Sequence, residues 1–272
     1  MKKLKLLIKK FLPDSIFNKI YSFYIILANP TKEMPNYVLN KKYFVKNDDK
    51  KNIFSLRMMG GATLGRAQTF YTKEPDTVEW IKSFNSDSVF FDIGANIGIY
   101  SLFAAKLGHK VLSFEPESHN FLSLNININD NDLEEKIIAY PISIDQNMKI
   151  STLNIFKFRF GGSGHSFDRS ITSNGKQFKP SHIQGSISIT LDSFCEELKI
   201  YPEFIKIDVD GNELRVVKGM NNLLSSKKIK SILIELNQNF DEHKKIIDIF
   251  ENHNYKMQKN IINSSNYIFN IN

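Results

Sequence analysis

From Thr72 onward the chain alternates short apolar runs with longer amphipathic ones. TKEPDTVEWIKSF (72–84) carries apolar residues at helical spacing, with Pro75 where a first helical turn tolerates it. The run Val89–Ile93 predicts a strand, and the helical pattern after it ends near Gly108, a residue suited to a helix C-terminus. KVLSFE (110–115) predicts a second strand and SHNFLSLNIN (118–127) a helix. After the polar NDNDLEE, a third strand lies in KIIAYPIS (136–143). The alternation then breaks. MKISTLNIF (148–156) and SISIT (186–190) read as strands, but the segment between them, with GGSGHSFDRS near its start, is rich in Gly, Ser and Lys. A structureless stretch of that length is usually functional or disordered. Order resumes with a helix from Asp192, a strand in FIKIDV (204–209), a helix in GNELRVVKG (211–219) and a strand in SILIEL (231–236). The helix DEHKKIIDIFENH (241–253) sets Ile246, Ile247 and Phe250 on one face, and YKMQK and NYIFNI close the chain as strand-like pieces.

Strands alternating with helices predict an α/β fold, a doubly wound, Rossmann-like and mostly parallel sheet of seven strands with right-handed crossovers. Two terminal strands with no helix between them imply an antiparallel edge. The expected organisation is a basic helical and extended lead-in over 1–68, then one domain over 69–272 with an insert at about 148–190.

Charge changes the picture at the N-terminus. The chain of 272 residues carries a formal +7, much of it in MKKLKLLIKK and KKYFVKNDDKK. Such a balance suits nucleic acid, an anionic membrane surface or an acidic substrate. Lys9, Lys10, Pro13 and Lys19 break the apolar pattern that a signal peptide needs, and FYIILA is far shorter than a bilayer span of ~20 residues. The segment reads either as an amphipathic helix lying on the anionic inner face of a membrane or as a helix packed on the domain with its lysines solvated. Cys195 is the sole cysteine, so no internal disulfide forms and a reducing, cytoplasmic compartment is expected. It reads as a small buried hydrophobe.

Candidate chemistry concentrates in SVFFDIGANIGIYS (88–101), a strand, a glycine turn and a helix, the arrangement that lays a nucleotide across a helix N-terminus. An NAD site wants G-x-G-x-x-G to hold a pyrophosphate. Here Gly94 and Gly98 are four apart, Asn96 takes the intermediate place, and the third glycine position near Ser101 has no match. Asp92 at the strand end would repel phosphate, yet it suits an ammonium or sulfonium, and S-adenosylmethionine carries both. Glu115 ends the next strand, where an acid accepts hydrogen bonds from both ribose hydroxyls. The alternative is that Asp92 is a turn or cap residue and the glycines only shape the bend.

FFDIGANIGIYSLFAA, FEPES with L-N-I-N, ITLDSF, FIKIDVDGNELRVVKGM and ILIELN together resemble the FkbM-type S-adenosylmethionine-dependent methyltransferases over about residues 70–260. The pair DIGANIG and IKIDVDGNE is the most specific part. Relatives mostly have glutamate where this chain has Asp210, and neither the lead-in nor 156–186 is covered. The resemblance implies a class I methyltransferase architecture and O-methylation, often of sugar hydroxyls in glycans, polysaccharides or glycosylated metabolites. It implies that Asp92, Gly94, Ala95, Asn96 and Gly98 line the methionine end of the cofactor, Glu115 with Pro116 the ribose, and Ser143 and Ile144 the adenine.

A sugar hydroxyl needs a positioned base at neutral pH. Asp208 and Asp210, two apart on a strand, share a face, and with Glu235 they are expected to converge near the transferable methyl. Asp208 leads as base. Asp210 with Glu213 also reads as a capping box, and Glu235 as a partner of a loop amide. His165, in GGSGHSF, is the other candidate base, and Asp192 reads as a cap. The acids could collect Mg²⁺, though no spacing is diagnostic. Arg57, Arg66 and Trp80 precede the core without a stated role. An RNA methyltransferase and a non-catalytic cofactor-binding protein stay as alternatives. Against RNA, the chain has no aromatic-basic module and no NPPY-like tetrapeptide, and acids suit a hydroxyl acceptor.

Overall fold

The computed structural model describes residues 41–237, 240–258 and 265–272. The segment 1–40, with the amphipathic helix and membrane contact expected of it, lies outside the described residues. The chain enters as an antiparallel hairpin, β1 (Lys42–Lys46) and β2 (Asn52–Arg57). Its turn is closed by Asn47 Oδ1, which accepts from Lys51 N–H at 2.9 Å. Helices α1 (Gly61–Gln68), α2 (Phe70–Lys73) and α3 (Pro75–Lys82) follow, with Pro75 in the first turn of α3.

The core alternates as expected: β3 (Val89–Ile93), α4 (Ile99–Lys106), β4 (Lys110–Phe114), α5 (Ser118–Asn129) and β5 (Ile137–Tyr140). The third expected strand splits at Pro141. A proline lacks the N–H that a ladder needs, so β5 ends and the chain passes into β6 (Ser143–Ile144), which belongs to another sheet. The insert is folded rather than a structureless loop. Within it β7 (Lys149–Ile155) pairs antiparallel with β8 (Ser166–Phe167) and with β9 (His182–Ile189), and β9 pairs with β6, so four strands run in the order β6-β9-β7-β8. The chain then returns through α6 (Leu191–Leu198), β10 (Phe204–Ile207), α7 (Glu213–Lys218), α8 (Asn221–Ser225), β11 (Ser231–Glu235), α9 (Asp241–Asn252), β12 (Tyr255–Met257) and β13 (Asn266–Ile271).

The main sheet has seven strands in the order β12-β13-β11-β10-β3-β4-β5. β11, β10, β3, β4 and β5 run parallel, and β13 and β12 form the antiparallel edge. Its central strands are buried on both faces, so they read as continuous apolar runs. Successive residues face opposite layers. Phe91, Ile205 and Ile207 join one apolar cluster with Phe194, Leu214 and Phe250. Phe90, Phe204 and Leu233 join the other, with Trp80, Phe103 and, from the hairpin, Val45, Phe54 and Leu56.

β10 ends at Ile207, so Asp208 to Asp210 form a turn rather than strand, with Asp210 at φ 56°. The shared strand face expected for Asp208 and Asp210 is therefore replaced by a left-handed turn. Gly94 makes room for it. A Cβ at Gly94, whose φ is +81°, would lie 1.8 Å from the Asp208 carbonyl oxygen.

Candidate active site

The glycine turn leaves β3 with both glycines and Asn96 at positive φ: Gly94 81°, Asn96 53°, Gly98 83°. Asparagine tolerates the left-handed region better than most residues. All five N–H groups of this turn have protein acceptors. Gly94 and Ala95 donate to the Phe114 carbonyl at 2.9 and 3.1 Å, and Gly98 to the Ala95 carbonyl at 2.8 Å. Asn96 N–H donates to Glu115 Oε2 at 2.8 Å and Ile97 N–H to Asn96 Oδ1 at 3.0 Å. A pyrophosphate site needs such amides free. Asp92 lies beneath the turn, 1% exposed, where Oδ2 accepts from the Ser101 hydroxyl at 2.6 Å and Oδ1 has no partner. Burial raises its pKa. Neither Asp92 nor Gly98 lines the cavity above. The direct meeting of Asp92 with a cationic ligand expected from sequence is thus not what the fold presents, because its carboxylate is turned to Ser101 of α4.

That cavity, about 310 Å³, opens at the carboxyl ends of β3, β4, β10 and β11, within the ~300–1,000 Å³ of small-molecule sites. Gly94, Ala95 and Asn96 line it, as do Glu115, Pro116, Ser143 and Ile144, with Ile142, Leu153 and Phe167 adding apolar wall. Glu115 follows β4 directly and is 5% exposed. Its oxygens accept from the backbone N–H groups of Asn96 and Glu117, at 2.8 and 2.9 Å. Those bonds fix the carboxylate while burial pushes its pKa to about 8.

Asp208, Asp210 and Glu235 all line the cavity. Lys206 is the residue that sequence reasoning missed. It is 2% exposed in the central strand, and its ammonium lies 2.9 Å from Asp208 Oδ2. Its register partner on β3 is Asp92, and its Nζ stands 5.3 Å from the Tyr100 ring centroid. Against the burial that would raise it, Lys206 and a hydrogen bond with Glu235 hold the Asp208 carboxyl at about 2. Asp208 and burial in turn push Glu235 to about 8, while Ser265 Oγ donates to it at 2.9 Å. The two carboxyls thus share one proton near neutrality. Tyr100 lies beside this pair, its phenol raised by burial and by Glu74. A lysine inside an apolar strand, two residues before an aspartate, is the signal that could have found Lys206.

Asp210 does not cap a helix. Asn212 holds the N-cap position of α7, and Glu213 Oε1 accepts from Val209 and Gly211 N–H at 3.2 and 3.0 Å while Oε2 meets His243 at 3.1 Å. Asp210 Oδ2 instead accepts from Gly164 N–H of the insert at 2.6 Å. Burial and Asp208 raise it to about 7. The same glycine-rich segment is held by Asn96 and Asn120, whose side-chain amides donate to the Gly162 carbonyl at 2.6 and 3.1 Å. His165 lines the cavity from this segment. Its Nδ1 accepts from Phe156 N–H at 3.3 Å and its Nε2 has no partner. Burial lowers its pKa. Neutral with Nδ1 accepting, the ring carries its proton on Nε2, so it is placed to donate rather than to act as the base expected.

Asp192 caps, but at the neighbouring helix, where its carboxylate accepts from Asn222 and Leu223 N–H at 2.9 and 2.8 Å. Arg57 forks onto Asp130 at 2.7 and 2.6 Å, Trp80 donates to Ser231 Oγ at 2.9 Å in the core, and Cys195 is buried with its thiol raised to about 12. Of the three residues without a stated role, Arg66 alone lines the cavity. Among the described residues no three His, Cys, Asp or Glu side chains are grouped as metal ligands would be, and no helix is long and apolar enough to cross a membrane.

The donor set fits S-adenosylmethionine. Glu115 is a fixed, buried acceptor of the kind a diol could donate to, the turn offers no free amide to a phosphate, and carboxyls crowd the far end where a sulfonium would supply positive charge. The family comparison agrees. The FkbM methyltransferase domain model matches residues 92–257. A hexuronic acid methyltransferase of Haloferax volcanii is 25% identical over 168 residues, 59% of this chain and 61% of that protein, so the chain spans about three fifths of that relative. Among solved structures, a methyltransferase FkbM from Methylobacillus flagellatus aligns with a TM-score of 0.47 and 16% identity, over 77% of this chain and 53% of that one. Aeropyrum pernix fibrillarin, solved with natively bound S-adenosylmethionine, aligns with a TM-score of 0.42 and 6% identity, over 88% of this chain and 84% of that one.

Proposed function

We propose, for a chain that belongs to the FkbM methyltransferase family, that it methylates a hydroxyl of a sugar in a glycan, polysaccharide or glycosylated metabolite, with S-adenosylmethionine as donor. The observation that carries this reading is the carboxyl cluster Asp208, Asp210 and Glu235 in one cavity with Glu115 and a turn whose amides are all engaged. The hexuronic acid named for the Haloferax relative supports a sugar acceptor.

The bound cofactor supplies an electrophilic methyl group. Glu115 would hold its ribose, with Ser143, Ile144, Leu153 and Phe167 around the base, and Gly94 to Asn96 beside the methionine end. Proton acceptance we assign to Asp210 rather than to Asp208. A base works best with a pKa near the working pH, and Asp210 at about 7 meets that while Asp208, held at about 2 by Lys206, is a weak base. Asp208 with Glu235 then orients the acceptor as a singly protonated pair. His165 donates a hydrogen bond from the insert, which closes one wall and excludes water.

Methyl-labelled cofactor incubated with the chain and cell material, then separated into polysaccharide, RNA and protein, tests the acceptor. Label in the polysaccharide fraction is expected, and label confined to RNA refutes the sugar reading. Calorimetry tests the cofactor. Binding of NAD with no binding of S-adenosylhomocysteine refutes it.

A further inference from the structure

The ionic groups lining the cavity are unequally committed. Glu74, Glu115, Asp145, Asp208, Asp210 and Glu235 supply carboxyls. Asp145 pairs with Arg215 at 2.6 Å between Oδ1 and Nε, Lys73 with Glu74 at 2.9 Å and Lys206 with Asp208 at 2.9 Å. Arg66, half-buried on α1, is different. Its only hydrogen bond among the described residues runs from Nε to the Gly161 carbonyl at 3.2 Å, and it forms no ion pair among them.

That single bond orients the group. A guanidinium presents two binding edges, and with Nε taken by a backbone oxygen the end bearing both terminal amino groups stays open. The oxygen itself is well fixed, because Gly161 sits at φ +70° so close to α1 that a Cβ would lie 3.2 Å from Thr63 N. The positive field of Arg66 is felt inside the cavity, where it opposes the upward shift of Asp210 and deepens the lowering of His165. A fixed, open guanidinium would repel a sulfonium and binds a carboxylate well.

We propose that Arg66 is a carboxylate-binding residue of this cavity, holding an anionic carboxyl group of a bound small molecule end-on. The inference rests on the methyltransferase reading, which brings two sources of that group: the methionine carboxylate of the cofactor and the carboxylate of an acidic sugar acceptor.

Calorimetry on the full chain, on Arg66→Gln and on Arg66→Lys separates them. The probes are S-adenosylhomocysteine, its decarboxylated analogue and, with S-adenosylhomocysteine bound, glucuronate and glucose. If the cofactor is the source, Arg66→Gln weakens S-adenosylhomocysteine by roughly 10- to 100-fold and leaves the decarboxylated analogue unchanged, with Arg66→Lys in between. If the acceptor is the source, S-adenosylhomocysteine binds all three proteins alike and Arg66→Gln loses glucuronate but not glucose. Equal affinities of wild type and Arg66→Gln for every probe overturn the assignment, and so does an equal loss for probes with and without a carboxylate. Either result leaves the methyltransferase reading standing, whereas a wild-type chain that binds none of the probes overturns both.

Discussion

Replacing Lys206 with methionine removes one charge from the centre of the sheet and little volume, so the outcome isolates electrostatics. At 2.9 Å, an ammonium and a carboxylate attract by about 6 kcal/mol at an effective dielectric of about 20. Desolvation offsets much of that. What remains is visible in Asp208, whose carboxyl is held at about 2 against an ordinary 3.8, worth about 2–3 kcal/mol. Removing one partner of a buried pair typically destabilises by about 3–5 kcal/mol, unless the orphaned acid takes a proton. In the wild type, the depressed pKa of Asp208 contributes stability above pH 3.8 that fades as pH falls through 2. In Lys206→Met, burial and the neighbouring acids raise that pKa above its ordinary value. The contribution then reverses: it is present below the ordinary value and lost as pH rises through the new one. The stability gap between wild type and variant is therefore about 3 kcal/mol or more at pH 8 and shrinks towards pH 5.5. Urea unfolding at both pH values, with the slope m checked for constancy, measures it. A gap below about 1 kcal/mol at pH 8, or one that does not change with pH, would refute the role of Lys206 as counter-charge.

Asp210→Asn keeps an oxygen for Gly164 N–H but cannot take a proton, so methyl transfer is expected to fall by ~10²–10⁴ with no loss of melting temperature; a wild-type rate in a labelled-methyl assay refutes the assignment. Glu115 at about 8, Asp210 at about 7 and Glu235 at about 8 lie above their ordinary values, so the ligand-free chain loses stability as pH rises from about 5 to 8.5. Thermal melts across that range are expected to show the decline, with S-adenosylmethionine flattening it more than uncharged-sulfur S-adenosylhomocysteine; a flat ligand-free profile refutes it. Gly94→Ala drives a Cβ into the Asp208 backbone, whereas Gly98→Ala meets Leu124 Cδ1, the tip of a side chain, at 2.3 Å. The first should destabilise by about 3 kcal/mol or more and the second by less, and the reverse order in denaturant would contradict the geometry. For the lysines of 1–10, sedimentation with anionic vesicles should show binding at low salt that fades as salt rises, at ~1 kcal/mol per lysine; a chain that never pellets refutes the membrane contact.

The strands of the core were legible because parallel strands buried on both faces leave unbroken apolar text, as in Val89–Ile93 and Ser231–Glu235. Their ends were less so. Whether FIKIDV continues to Val209 depends on the close approach of Gly94 to Asp208, which joins residues far apart in the chain. The split at Pro141 was readable from proline alone, but the second sheet it feeds was not, since the order of 156–181 comes from pairing across the insert rather than from periodicity. In the site, Glu115, Asp208, Asp210 and Glu235 were found because acids at strand ends stand out. Asp92 stood out for the same reason, although its side chain serves Ser101. Lys206 was hidden inside an apolar word, and Arg66 in a lead-in without pattern.

The segment crossing the cavity is held almost entirely by its main chain: Arg66 bonds the Gly161 carbonyl, Asn96 and Asn120 the Gly162 carbonyl, and Asp210 the Gly164 N–H. His165 adds one side-chain tie, its Nδ1 accepting from Phe156 N–H at 3.3 Å. Ser163, which faces the cavity, can be exchanged by mutation without unfastening the wall that bears it, provided the glycines stay. For directed evolution of acceptor preference, this position is randomisable on a frame that does not depend on what it is.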